Sequence, residues 1–281
     1  MTWPRLTITA LVLLAGARAA GAQVLRYDDE VGSSRTYVRE QRDRVVQTLE
    51  GREASAEIES HWRFHARVAA ASPEALTLEV VHDSIAITGP PSAEELDLGA
   101  LRGVPIEIVM TRRGAVEDVD VPTGFPAALA RLDLATTYRS LFPRLPEGDA
   151  DDGAAWSDTT RVEAEQNGLD LRVVRVNRYT SKGWATTEGG RIVRVEYEVE
   201  LSIEGEGEQR DARIVLTGSG RGSGGYGFDP GTGAYLGGAE TSEMRLVALV
   251  TDPEGRNVLI PILQNRTETI TLIDPPLPPR R

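Results

Sequence analysis

From Val193 to Ile203 the chain alternates without a break. Val193, Val195, Tyr197, Val199, Leu201 and Ile203 are apolar, and Arg194, Glu196, Glu198, Glu200 and Ser202 between them are polar. Period two over this length predicts a β-strand with one face buried and the other wet. A helix of 3.6 residues per turn would scatter the same apolar groups around its circumference. The alternation recurs at His61–Ala70, where Trp62, Phe64, Ala66 and Val68 are set against His61, Arg63, His65 and Arg67. Ser72-Pro73-Glu74 supplies a turn and Leu76 to Thr88 returns, which predicts a hairpin. A second hairpin is predicted from Ile106, Ile108 and Met110, through Arg113-Gly114, to Val116–Val121. Arg35 to Leu49, after a Gly32-Ser33-Ser34 turn, is polar enough to predict an edge strand.

The second half is a run of long strands. Ser157–Ala164 and Leu169–Tyr179 precede the opening stretch, and Ala212–Gly227, Ala234–Thr251 and Asn257–Ile273 follow it. Gly205-Glu206-Gly207, Asp229-Pro230-Gly231 and Asp252-Pro253-Glu254-Gly255 divide them, as in an antiparallel meander. One helix is expected between the halves. Thr123 or Gly124 caps it, Pro126 suits its first turn, Pro143 stops it, and Phe125, Leu129, Leu132, Tyr138, Leu141 and Phe142 form its apolar stripe. The predicted fold class is mainly β, with two antiparallel, curved, half-barrel-like sheet lobes and this helix between them. The expected divisions are a leader at 1–22, an N-terminal lobe with its closing helix at 23–142, a linker at 143–156, a C-terminal lobe at 157–274 and a proline-rich tail at 275–281.

The leader changes the picture of where the chain works. Met1–Arg5 is short and basic, Leu6–Ala15 is apolar, and Ala20-Gly21-Ala22 offers a small-x-small cleavage site, the pattern of a secretory signal peptide. Its apolar run of about ten residues is too short to span a bilayer. The expectation is an exported protein, periplasmic or extracellular, with no transmembrane segment in the mature chain. There is no cysteine, so disulfides, thiolate chemistry and an acylated-cysteine anchor are excluded. With 43 acidic against 31 basic residues the net charge is -12. Such a field repels nucleic acid and anionic surfaces, and no nucleic-acid partner is expected.

Candidate chemistry is sparse. Gly218, Gly220, Gly222 and Gly224 recur at every second position of a predicted strand, leaving a bare strip on one face. Such a strip implies close approach by a ligand, by the helix or by a neighbouring strand of a strongly curved sheet; otherwise it is a loose strand end. Gly222 to Gly227 fits G-x-G-x-x-G, but a turn follows it instead of the helix that dinucleotide binding needs. Of the three histidines, His65 and His82 would face each other in one hairpin register. Matching apolar with apolar residues favours a register one step away, with Asp83 opposite His65, and leaves the histidines on a solvated face. Asp149, Asp151 and Asp152 lack the spacing of a calcium loop, and no serine sits in a nucleophile elbow. No catalytic residue, metal site or cofactor is expected.

Several short motifs carry a resemblance. The leader, the long antiparallel strands, Leu141-Phe142-Pro143-x-Leu145-Pro146, Gly153-x-x-Trp156 and the Phe228-Asp229-Pro230-x-Thr232-Gly233 turn resemble an uncharacterised family of bacterial envelope proteins. More distantly, the layout is similar to the half-barrel periplasmic lipoprotein carriers and related lipid-binding envelope proteins. That resemblance implies a curved sheet around an apolar cavity and no catalytic residues. The expected function is therefore non-catalytic binding of a lipid or other apolar ligand. Val193, Val195, Tyr197, Val199, Leu201 and Ile203 would line the cavity, and Gly218, Gly220, Gly222 and Gly224 would border it. A structural or protein-interaction module of the envelope, pairing with a protein partner through sheet edges, is the alternative.

Overall fold

The computed structural model describes residues 24–90, 98–123, 125, 134–166, 168–187, 189–209 and 211–273. The expected leader, the proline-rich tail and the middle of the expected helix lie outside the described residues. Eleven strands form one sheet: β1 (Ser34–Leu49), β2 (Arg52–Ala71), β3 (Ala75–Thr88), β4 (Pro105–Thr111), β5 (Val116–Asp120), β6 (Ala155–Gln166), β7 (Leu169–Thr187), β8 (Gly190–Gln209), β9 (Ala212–Asp229), β10 (Ala234–Thr251) and β11 (Asn257–Leu272). Their order across the sheet is β5-β4-β3-β2-β1-β11-β10-β9-β8-β7-β6. All neighbours are antiparallel, so two meanders meet where the first strand pairs with the last. The mainly β expectation stands, and so do both N-terminal hairpins and the C-terminal meander.

Two expectations are corrected by the β1–β11 seam. The halves are not separate lobes, because the ladder runs without a gap from Tyr37↔Leu272 to Gln47↔Ile262. For the same reason β1 is a central strand and not an edge. It reads as polar because its inward positions include Arg35, Arg39 and Asp43, all buried and all ion-paired. The turn into β2 is a two-residue Glu50-Gly51 loop with φ of 51° and 77°. Positive φ at both positions matches the right-handed twist of the flanking strands. The sheet is not a closed barrel: β5 and β6 are its two edges.

The sheet curls toward one face. Arg175 on β7 bonds Glu240 on β10, although two strands lie between them. Three strand spacings of about 4.8 Å would hold them apart on a flat surface. The concave face at one end of the strands carries the core, built from Tyr37, Phe64, Leu78, Ile108, Val195 and Phe228 among others. Leu25 and Tyr27 pack into it from the N-terminal side, and Leu141, Phe142 and Leu145 from the connection between the meanders.

That connection departs from the expected helix and linker. Among the described residues the helix is α1 (Leu134–Arg139). Two β-branched threonines follow Ala135, a composition that extends helices poorly. Leu141 and Phe142 leave the helix and turn inward, where Phe142 meets Tyr27, Tyr37 and Tyr235 edge-on at 5.9–6.3 Å. Leu145 and Ala150 are buried too, so the stretch that reads as a linker serves as a plug over one end of the sheet.

Candidate functional site

The concave face of β6–β11 carries three bands that run obliquely to the register rows. Nearest the plug is a ladder of rings, one from each of β6 to β10 in turn: Trp156, Tyr179, Tyr197, Tyr226 and Tyr235; it then passes over β11, which has no ring, to Tyr37 on β1 and Phe64 on β2. Successive centroids are 5.3–6.3 Å apart. Offset and edge-on contacts of this kind stabilise beyond simple burial. Burial, and then the neighbouring tyrosines, raise the Tyr226 phenol well above its ordinary pKa, and burial does the same at Tyr179 and Tyr197. These hydroxyls therefore stay protonated and act as donors. The Tyr226 hydroxyl and the Trp156 Nε1 both donate to the Arg144 carbonyl, at 3.2 and 3.1 Å, tying the plug to the ladder.

Behind the rings runs a polar belt. Asn177 donates to Asp158 at 2.8 Å, Arg175 donates to Asn177 at 2.9 Å and pairs with Glu240, and the Tyr197 hydroxyl donates to Glu240 at 3.0 Å. Across the β1–β11 seam Arg39 pairs with Glu268 at 2.7 Å. Asp43 accepts from Gln264 and Arg266 at 2.9 and 2.8 Å. Burial opposes ionisation of Asp43, but Arg266 and the Gln41 and Gln264 donors outweigh it, and its pKa is lowered. Glu240 and Glu268 stand directly opposite each other on β10 and β11. Each is held by its own arginine, so the pair is built as two salt bridges and not as an acid–base couple.

Beyond the belt the face turns aliphatic. One register row reads Val162, Val173, Ile203, Gly218, Leu246 and Ile262, from β6 to β11. The rows beside it add Leu171, Leu201, Leu216 and Met244. All are half-buried. None belongs to the core cluster, and among the described residues their strands have substantial packing only against strands of the same sheet. Here the sheet forms an open aliphatic trough.

The ten residues expected to line a cavity divide among these bands. Val193 and Val195 are buried in the core, and Val199 is buried in the row of the belt. Tyr197 belongs to the ring ladder. Leu201 and Ile203 face the trough. Gly218, Gly220, Gly222 and Gly224 do share a strip on the concave face, but β10 already presses on it. A Cβ at these positions would lie 2.5–2.7 Å from the carbonyl oxygens of Arg245, Glu243, Thr241 and Ala239. The strip is the crease along which the sheet folds. Gly224 has a second occupant, the Tyr197 ring, which crosses it to reach Glu240.

Sequence reasoning misses the belt, the plug and His82. A register irregularity between Val68 and Ala70 sets His65 against Val81, not Asp83, although Asp83 still reaches His65 at 3.2 Å. His82 turns to the opposite face and is buried, 2.5 Å from the Tyr138 hydroxyl. The solvated-face reading of His82 is thus corrected. A cavity of about 20 Å³ near the core is bordered by Arg35, Tyr37 and Tyr235 among others, space on the order of one water molecule.

No family model matches the chain, and no curated protein matches it. Among solved structures, it is similar to Pseudomonas aeruginosa OccK11 (OpdR) at 8% identity, covering 88% of this chain and 100% of that one, with a TM-score of 0.24. OmpT, an outer membrane protein of Vibrio cholerae, matches at 10% identity over 85% of this chain and 100% of its own, with a TM-score of 0.20. The COG4313 outer membrane channel from Pseudomonas putida F1 matches at 8% identity over 88% and 98%, with a TM-score of 0.20.

Proposed function

We propose that this is a non-catalytic, exported envelope protein that binds a lipid or other apolar chain in the trough of its curled sheet. The export half of the reading rests on the N-terminal sequence pattern. The binding half rests on one observation: the aliphatic row from Val162 to Ile262 is only half-buried and no described element packs over it. At the other end of the same strands a plug seals the face. The location of the guest differs from the sequence expectation, since it lies over Leu201 and Ile203 and not over Val193 and Val195. The polar belt marks the inner limit of the trough, because a guest chain passing it would have to break paired charges.

The test is binding of a homologous series of fatty acids, measured by displacement of an apolar fluorescent probe. Each methylene transferred from water contributes about 0.8 kcal/mol, so affinity should climb by roughly fourfold per added methylene at most. Ile203→Asp should weaken binding about tenfold or more while changing the melting temperature little, as no described element packs over the side chain. Failure of the probe to bind, together with a ligand-free mass in native mass spectrometry, would overturn the reading.

A further inference from the structure

The long edge of the sheet, β6, has features that a merely exposed edge would lack. It is a twelve-residue strand containing neither proline nor glycine, and among the described residues only β7 pairs with it. The opposite edge, β5, is short, acidic and irregular in register. Edge strands are ordinarily blunted by shortness, proline or charge, because their free N–H and C=O groups template another strand. β6 carries charge on its convex face, at Arg161, Glu163 and Glu165, all exposed. Their order makes them self-complementary.

We propose that β6 is an interface on which a second copy of this chain adds antiparallel, with Val162 facing Val162 across the two-fold axis. This register brings Arg161 of each copy opposite Glu163 of the other. It also sets Thr160 against Ala164, Thr159 against Glu165, and Asp158 against Gln166. No like charges meet. Shifting the axis to residue 161 opposes two arginines, and shifting it to residue 163 opposes two glutamates; among registers that keep the two concave faces on one side, only the one centred on Val162 sets arginine against glutamate without opposing like charges. Antiparallel pairing about an axis perpendicular to the sheet keeps both concave faces on the same side. Val162 also ends the aliphatic row of the trough, and the two rows become one across the seam.

The ion pairs available inside one chain leave this interface free. Arg161 has no salt bridge among the described residues, and Glu163 meets Arg172 only at 4.0 Å, between side chains 81% and 57% exposed. An arginine left unpaired beside an unpaired strand edge finds its partner in the symmetry mate. The occupant is a second copy because the complementarity is that of the strand with its own reverse, independently of any ligand in the trough.

Sedimentation velocity of the mature protein over a concentration series tests the proposal. The expected result is a concentration-dependent dimer. Arg161→Glu and Glu163→Arg, each alone, oppose like charges twice per dimer and should weaken dimerisation about tenfold or more. The double variant Arg161→Glu/Glu163→Arg exchanges the charges and should restore it. Circular dichroism of each variant shows that the fold is retained, and the double variant serves as a second control. A monomer at every concentration would overturn the proposal. So would a dimer that is indifferent to the single changes, or one that the double change fails to rescue. Probe binding by a monomer would leave the trough reading intact, so the two readings fail separately.

Discussion

Gly224→Ala should destabilise the protein by about 3 kcal/mol, whereas Gly227→Ala, three residues along the same strand, should stay within about 0.5 kcal/mol of the parent. The contrast comes from what each new methyl group meets. At Gly224 it would lie 2.5 Å from the Ala239 carbonyl oxygen and 2.5 Å from both Cζ and Oη of Tyr197. The carbonyl belongs to the β9–β10 ladder and cannot retreat without opening the crease. The ring cannot retreat without giving up its hydrogen bond to Glu240, which already shares that carboxylate with Arg175. At Gly227 the methyl would find only Leu236, at 3.6 and 3.7 Å, an ordinary contact. Chemical denaturation of both variants measures the difference. Equal stabilities would mean that the sheet is not folded along β9, and the concave trough would lose its physical basis.

The glycine strip shows how far sequence can be read here. Four glycines at every second position announce that something comes close to one face of a strand. They do not say what, because the neighbour is β10, and its register is set by a turn and a bulge between Tyr235 and Gly237. Strands and hairpins were legible throughout, since period two depends on local burial alone. The seam was not. β1 carries Arg39 and Asp43 toward the core side, and their partners Glu268 and Arg266 lie at the far end of the chain. A charge neutralised by a distant partner looks, in one dimension, like a charge in water. The same limit concealed the plug: proline and acidic residues around Leu145 and Ala150 mark a loop correctly, but only the fold reveals that the loop is buried.

For the candidate site the legible part was the aliphatic alternation of Leu201 and Ile203. The unreadable part was the division of one face into rings, belt and trough. That division needs the rows across β6–β11. Asp158, Asn177 and Arg175 are inward positions as surely as Val162 and Val173, and they come together only when the strands are laid side by side. The belt also gives the face a polarity that no single strand possesses.

His82 should make the protein lose stability in mild acid. Its imidazole is buried, lies edge-on to Trp62 at 5.3 Å, and has Nε2 2.5 Å from the Tyr138 hydroxyl. Burial raises the Tyr138 phenol above its ordinary pKa, so the phenol is the donor and neutral Nε2 accepts. Nδ1 has no partner. Burial, and then the charge of Arg39, lower the His82 pKa from 6.5 to about 4; Asp83 opposes them and His65 adds to them. A folded pKa below the unfolded one means that the contribution is complete above the unfolded value. It is lost as pH falls from 6.5 toward about 4. The shift corresponds to about 3 kcal/mol over that window, of which roughly 2 kcal/mol is lost by pH 5. His82→Gln retains an acceptor for Tyr138 and cannot take up the proton. Between about pH 7 and pH 5 the parent should therefore lose about 2 kcal/mol more unfolding free energy than the glutamine variant. Asp83, Arg39 and His65 are present in both proteins, so their own titrations largely cancel in the difference. Parallel stability curves would show that His82 is reached by solvent or charged in the folded state. The contact between α1 and the sheet would then be looser than the Tyr138 hydrogen bond implies.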